Sequence, residues 1–433
     1  MRWQDCERFI EITSMYSVLT IFIILLVIRL IAELWLDGLN RKEVLNNAHS
    51  VPDAFREFID PPTYDKSVAY TLAKNQLSKI ETVFNATILA LVILSGFLPW
   101  VYEGLANYLG HSIWAQSINL IIIGFVLGIP SLPLEWWDQF RLEVRFGFNK
   151  STLQLWLMDK VKGLLIGLII GYPMLCILLW IVNLPHWWIW AFIISFCFQL
   201  LMMVIYPMFI MPLFNKFEPL PEGDLRERLM ALADRTGFKA KTILVMDGSK
   251  RSAHSNAFFT GFGKIRRIVL YDTLMEQLKP EELEAVLAHE IGHYKLGHVP
   301  KMIFLSGLMM LIGFWILAKL AASTWFYVGF SFSPDSDIAI AFLLFSLISG
   351  LFTFWLSPLF NLRSRKHEFE ADNFSSNALK SYKPLIDSLR KLSEKNLSNL
   401  TPHPLYSRFH YSHPTLLERE RALAETQPHR VTT

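Results

Sequence analysis

Seven apolar blocks constrain this chain more than any other feature of it. They lie near 15–36, 83–101, 115–136, 161–183, 187–213, 302–322 and 338–360. Crossing a bilayer's hydrocarbon takes about 20 apolar residues in a helix, and each block meets that length. Charged residues make up 18% of the chain, against about 25% in soluble proteins. Mean hydropathy is +0.33. The chain is therefore expected to be a polytopic, mainly α membrane protein with the lipid bilayer as a partner. A net charge of +3 is too small to call for nucleic acid. Cys6, Cys176 and Cys197 are scattered, and form neither a disulfide framework nor a thiolate metal site. The first block is no cleavable signal: it is too long, carries Arg29 and Glu33 inside it, and lacks a small-residue cleavage site.

Seven crossings place the termini on opposite sides, and the distribution of basic residues agrees. The loop at 37–82 holds Arg41, Lys42, Arg56, Lys66, Lys74 and Lys79, and the loop after the third block holds Arg141, Arg145 and Lys150. The stretches 215–301 and 361–433 are also basic, whereas 102–114, 184–186 and 323–337 contain no Lys or Arg. By the positive-inside rule the N-terminus is outside, and both long polar segments are cytosolic.

Four segments follow from this. Residues 1–214 carry helices one to five with their loops, 215–300 form a cytosolic insert, 301–360 carry the last two spans, and 361–433 return to the cytosol. Within the insert, "GDLRERLMALADRTG" reads as an amphipathic helix, with Asp224 and Glu227 in a capping pattern and Gly237 as the stop. "TILVMD" (242–247) and "RRIVLYD" (266–272) read as strands. Gly261 and Gly263 suggest a hairpin joining a strand at 253–259 to the latter. "KPEELEAVLAHEIGHYKLGH" reads as a helix with Pro280 at its first position and Glu281 and Glu282 where its dipole favours negative charge. Past the last span, 368–398 suggests a helix and 402–414 a His- and Pro-rich turn region. "TLLERERALAE" reads as a last helix.

"HEIGH" (289–293) is the feature with chemistry in it. Two residues four apart on a helix are separated by about 40° of rotation, so His289 and His293 can converge on one ion. Glu290 lies on the adjoining face, where a general base belongs. This is the HExxH arrangement of zinc proteases. The surrounding Leu283, Val286, Leu287 and Ile291 are apolar, so polar groups buried among them need partners. His298 is five residues beyond His293 and on a continuous helix points away from that face. It reads as a helix-end histidine at the membrane surface. Catalytic zinc takes three protein ligands, so a third comes from elsewhere. "SRKHEFEAD" (364–372) lies on the same side by topology and offers His367, Glu368, Glu370 and Asp372. Glu368 and Asp372 share a helix face. A natural division puts Glu368 on the metal and Asp372 as acceptor from a ligand histidine. Glu370 reads as part of an ordinary charged juxtamembrane face.

Taken together, these residues resemble the CAAX prenyl protease 1 type of integral membrane zinc metalloendopeptidase, related to HtpX-type proteases. The resemblance is carried in order by "RFGFNK" (145–150), "DGSKRSAHSNAFFTGFGKIRRIVLYDTL" (247–274), "EELEAVLAHEIGH" (281–293), "SRKHEFEADNF" (364–374) and "FHYSHPTLLERERAL" (409–423). It implies one Zn2+ per chain held by His289, His293 and Glu368, with Glu290 as general base and Asp372 as the supporting acid. It further implies that His413 contacts the substrate carbonyl or stabilises the oxyanion. Asn256 and Ala257 would then belong to the edge strand that takes up extended substrate. The implied fold is seven transmembrane helices enclosing a chamber, with a small α+β zinc-protease domain on the cytosolic side. The implied reaction removes the last three residues of a prenylated CAAX-type protein or peptide. An HtpX-like protease of misfolded membrane proteins is the alternative within the same chemistry, and a transporter or channel the alternative outside it. The compact length and the short outer loop lean towards a bacterial cytoplasmic membrane; in a eukaryote the resemblance implies the endoplasmic reticulum. The sequence leaves the roles of His254, His410, Arg29 and Glu33 open.

Overall fold

The computed structural model describes residues 2–238, 242–260 and 267–426, with the side chains of 2–15, 260 and 426 left aside. Among the described residues, seven helices are long and apolar enough to cross a membrane. They are α1 (Arg2–Asn46), α2 (Pro61–Leu94), α3 (Ile113–Phe146), α4 (Leu153–Ile181), α5 (Trp187–Leu213), α8 (His298–Ala321) and α9 (Ile338–Leu379). Between them come α6 (Asp224–Arg235) and α7 (Pro280–Lys295), and after them α10 (Lys383–Lys395), α11 (Pro404–His410) and α12 (Leu416–Thr426).

α1 shows how these helices meet lipid. Ile21, Ile24, Ile28, Ile31 and Trp35 are exposed at helical spacing, while Phe22, Leu26 and Leu36 are buried. Arg29 and Glu33 belong to neither belt. They pair at 2.8 Å, with the guanidinium over the Phe354 ring, and both line a polar cavity shared with Glu81 and Asn85. That matches the habit of intramembrane charges to face protein or water.

Several boundaries differ from the sequence reading, and the end of the seventh span bears on function. α2 starts at Pro61, capped by Asp60 through Thr63, and stops at Leu94, because Gly96 adopts φ 75° and a separate helix, Phe97–Leu109, follows. The seventh span does not stop at 360. Pro358 falls in the first turn of the segment Ser357–Leu379, where proline is tolerated, so after a tighter turn at Phe354–Leu356 α9 runs on to Leu379. It ends at Lys380, φ 56°, dividing the helix expected over 368–398. In α6, Asp224 sits in the first turn and Gly223 takes the cap position, so the expected capping pattern is absent.

The polar insert folds around a four-stranded sheet of order β1-β2-β4-β3: β1 (Phe217–Pro219), β2 (Thr242–Met246), β3 (Ala257–Thr260) and β4 (Arg267–Tyr271). β2 and β4 are parallel; β1 and β3 pair antiparallel on the outsides. Leu229, Phe238, Ile243, Leu270, Leu287 and Ile291 pack α6 and α7 on the sheet in one core. β3 is shorter than expected, since the chain at 252–253 pairs with 148–149 instead of the sheet. The turn expected at Gly261 and Gly263 lies outside the described residues. Within the membrane, α1, α8 and α9 surround an apolar cavity of about 900 Å³ that reaches Ser364 and His367 at its polar end.

Candidate metal centre

The centre lies where α7 crosses the extramembrane part of α9. Gly292 permits the approach: a Cβ there would stand 3.1 Å from the Ala371 Cα and 3.1 Å from the Phe374 Cβ. Ser375 pins the contact by donating to the Ala285 carbonyl at 2.8 Å. α7 begins where Pro280 and Glu282 start it, with Glu282 accepting from the Lys279 amide at 2.7 Å and pairing with Lys391 on α10. Gly292→Leu is expected to wedge the two helices apart, at a cost of about 1–3 kcal/mol. Its zinc content after purification and its apparent melting temperature should both fall below wild type, with Gly292→Ala intermediate.

This crossing brings together the three side chains expected to hold a metal. His289 Nε2 lies 3.1 Å from His293 Nε2. Glu368 Oε2 is 3.3 Å from the first and Oε1 3.3 Å from the second. Four ligands around zinc at about 2.0 Å define a tetrahedron with edges of about 3.3 Å, so the spacing suits one ion among them. His289 and Glu368 are buried, and Glu368 Oε2 makes no hydrogen bond among the described residues. A cation there would resolve an orphaned buried oxygen. Two imidazole nitrogens with one carboxylate oxygen also suit zinc chemically, and suit an all-oxygen ion such as Mg2+ poorly.

Asp372 Oδ1 sits 2.8 Å from His289 Nδ1. That acceptor keeps the proton on Nδ1 and frees Nε2 for a metal. Behind Asp372 stands Arg419 of α12, which the sequence reading did not single out. It is 8% exposed, donates from Nε to Asp372 Oδ2 at 2.8 Å and from a terminal nitrogen to Oδ1, and lies 3.8 Å from Glu368 Oε2. Nothing in the spacing of "ERERAL" marks it; only the fold carries the last helix back to the site. Glu290 holds no hydrogen bond or ion pair with the described residues. Burial raises its carboxyl above the usual range, while His289 and His293 pull it down. His413 Nε2 is 3.4 Å from Glu368 Oε1, with its side chain 65% exposed, and Ser412 Oγ sits 2.9 Å from its Nδ1.

His298 does sit at a helix end, opening α8, but it departs from its sequence reading in direction. It is 1% exposed, and its Nδ1 lies 3.0 Å from His293 Nδ1. Residues 280–298 are not one helix. Gly297 adopts φ 67°, ends α7, and turns His298 back as the first residue of α8. Glu370 likewise is no idle surface charge, since its Oε2 lies 2.9 Å from His298 Nε2. His367 stacks on His298 at 4.1 Å with 7° between the rings. His298, His367 and Glu370 could by proximity form a second metal group. Parallel rings, however, direct their lone pairs along parallel planes, and one ion at about 2.0 Å from each nitrogen cannot lie in both.

β3 runs alongside. Its Ala257 and Phe258 line one small cavity together with Glu290. Ala257 opens the strand, paired with Leu270, and the Asn256 carbonyl accepts from the Tyr271 amide at 3.1 Å. β3 is an outer strand of the sheet, so its second edge pairs with no other strand among the described residues.

Residues 219–427 match the model of peptidase family M48, and residues 40–216 that of the CAAX prenyl protease N-terminal, five membrane helices. The chain belongs to peptidase family M48. This M48 peptidase is 37% identical to CAAX prenyl protease 1 of Saccharomyces cerevisiae, over 86% of this chain and 88% of that one. It is 30% identical to the CAAX prenyl protease 1 homolog of Homo sapiens, over 90% and 92%. Its fold matches the crystal structure of S. mikatae Ste24p with a TM-score of 0.89 and 33% identity, over 94% of this chain and 99% of that one.

In this M48 peptidase the segment leading into β3 is held from the membrane side. His254 stacks on Phe148 at 4.0 Å, with Nδ1 3.0 Å from Asn396 Oδ1 and Nε2 3.5 Å from Glu143 Oε2. Arg251 makes a two-point pair with Asp159. The bond to Glu143 raises the His254 pKa against the opposing effect of burial. A raised folded pKa adds stability below the unfolded value of about 6.5, and that stability is lost as pH climbs through the folded value. Wild type should therefore exceed His254→Gln in apparent melting temperature most at about pH 6, with the gap closing towards alkaline pH. A gap that stays constant would refute the pairing. His410 packs between Tyr406 and Phe409 and takes no part in the centre.

Proposed function

We propose that this M48 peptidase is a zinc-dependent endopeptidase that removes the last three residues of prenylated CAAX-type proteins or peptides. One observation carries the reading: two imidazole Nε2 atoms and a buried carboxylate meet at 3.1–3.3 Å, beside an uncommitted glutamate, at the ends of membrane helices. Residues 1–214 and 301–360 supply the membrane helices, 215–300 the strand and the His pair, and 361–433 the third ligand. The basic loops support a centre on the cytosolic side, of the cytoplasmic membrane in a bacterium or of the endoplasmic reticulum in a eukaryote.

His289, His293 and Glu368 would hold one zinc ion per chain. Bound there, zinc supplies Lewis-acid polarisation of the scissile carbonyl and a water acidic enough to attack near neutral pH. Glu290 takes the proton of the attacking water and passes it to the nitrogen of the leaving tripeptide as the C–N bond breaks. His413 holds the negative charge that develops on the carbonyl oxygen. Asp372 fixes the tautomer of His289. Asn256 and Ala257 pair with substrate main chain, setting its register with little regard to side chains. The apolar intramembrane cavity gives an isoprenoid chain a wall it prefers to water.

Matched peptides with and without a farnesyl group, assayed before and after chelation and zinc restoration, test this. Zinc-dependent cleavage at the prenylcysteine, strongly favoured by the prenyl group, is expected. Equal cleavage of both peptides would replace this reading with a quality-control protease of membrane proteins. Cleavage that survives full removal of metal would end it.

A further inference from the structure

His289 has an evident holder in Asp372. Among the described residues His293 has no carboxylate paired with its Nδ1; its carboxylate contact, Glu368, is at Nε2. At Nδ1 its only close partner, among the described residues, is the buried His298. We infer that Glu370 and His298 form a positioning relay that fixes the tautomer and the orientation of His293, as Asp372 does for His289. The inference rests on His293 being a metal ligand through Nε2.

That ligation decides every proton along the relay. With Nε2 given to a metal, His293 carries its hydrogen on Nδ1, which needs an acceptor. His298 Nδ1, 3.0 Å away, accepts only if it carries no hydrogen itself. The neutral ring then holds its hydrogen on Nε2, and that atom faces Glu370 Oε2 at 2.9 Å. Each donor thus meets an acceptor, and the carboxylate at the end favours this arrangement over the opposite tautomer. A proton on both nitrogens of His298 would set two N–H groups against each other at 3.0 Å.

The surroundings hold the relay in place. The left-handed Gly297 turns the chain so that His298 opens α8 facing His293. The His367 ring lies flat on His298 and closes it off from the apolar cavity that His367 lines. Glu370 comes from α9, two residues after Glu368, on the opposite side of that helix. It is 36% exposed, with Lys366 at 3.9 Å. A single helix thus carries a metal ligand in Glu368 and the ends of both supporting arms in Glu370 and Asp372. The relay also accounts for a buried histidine that otherwise has no use.

The test is zinc affinity of the purified full chain in detergent, measured by competition with a chromogenic chelator. Wild type should bind one zinc; if it binds none, the ligand assignment fails before the relay is tested. Changing groups that orient a ligand histidine costs about 10–100-fold in metal affinity. His298→Leu is expected in that range, and Glu370→Ala at about its lower end. Glu370→Gln keeps an oxygen acceptor for His298 and should restore most of the loss. His298→Asn offers a carbonyl to His293 and should recover part. Because His298 is buried, its leucine variant could fail to fold, so the decision falls on half-exposed Glu370. Glu370→Ala with the melting temperature of metal-free wild type and weakened zinc binding supports the relay. Glu370→Ala at wild-type affinity, or Glu370→Gln no better than Ala, overturns it.

Discussion

Glu290→Gln is expected to lower peptide hydrolysis by roughly 10²–10⁴-fold, the usual worth of a positioned acid–base group, while the protein still binds one zinc ion. The substitution keeps the shape of the side chain and removes only its ability to take a proton. The structure gives two reasons to expect so clean a separation. First, Glu290 holds no hydrogen bond or ion pair with the described residues, so no structural network depends on its charge. Second, the group of His289, His293 and Glu368 is complete without it. Burial raises the Glu290 carboxyl above the usual range, so it binds its proton more firmly than a surface glutamate does. The base form is lost as pH falls through the pKa of that carboxyl, so kcat/KM should show an acid limb that belongs to Glu290. In Glu290→Gln that limb should vanish from whatever activity remains. Metal content by elemental analysis together with single-turnover cleavage checks both halves. Retained cleavage at full zinc occupancy would remove Glu290 from its role. Lost zinc would mean that its charge serves binding instead.

What the sequence disclosed and what it hid divide along physical lines. Membrane spans were legible because their signal is local and redundant: Ile24, Ile28, Ile31 and Trp35 are all exposed at helical spacing. His289 and His293 were legible because a helix fixes the relation of residues four apart. Glu368 was reachable because topology returned its segment to the same side, with its role left to resemblance. His298 was misread because one glycine with positive φ undid the assumption of a continuous helix, and rotation past such a break cannot be extrapolated. Glu370 was misjudged for the same reason, its partner being the misplaced histidine. Arg419 was invisible because its value depends wholly on where α12 docks. Gly292 was passed over because a glycine inside a helix carries no mark of the neighbour it admits. Long-range side-chain partners are the information a single sequence withholds.

Arg419 is therefore where the structure makes its sharpest claim independent of motif. The sequence Thr415-x-x-Glu418 forms a capping box: Glu418 accepts from the Thr415 amide at 2.7 Å and Thr415 Oγ1 from the Glu418 amide at 3.4 Å. That fixes the start of α12 and so the direction of Arg419. Arg365 on α9 pairs with Glu418 at 2.6 Å, and Arg390 on α10 with Glu420 at 2.7 Å, so the helix is tied down on both sides of Arg419. Arg419 then meets Asp372, itself 1% exposed, in a two-point pair. Removing one partner of a buried ion pair costs about 3–5 kcal/mol, because the other is left charged and unsolvated. Arg419→Met should consequently melt far below wild type in detergent. Asp372 would then keep His289 alone as partner, and the acid beside the centre would become hard to hold ionised. Zinc affinity is expected to fall with it, because an Asp372 that takes up a proton is a poorer acceptor for His289 Nδ1 and holds that ring less firmly. Asp372→Asn added to Arg419→Met removes the stranded charge, so the double variant should recover part of the lost stability and none of the activity. Arg419→Lys keeps the charge but cannot form the two-point pair, and should fall between. A wild-type melting curve for Arg419→Met, or a double variant that simply sums the two single losses, would show that Arg419 and Asp372 act independently.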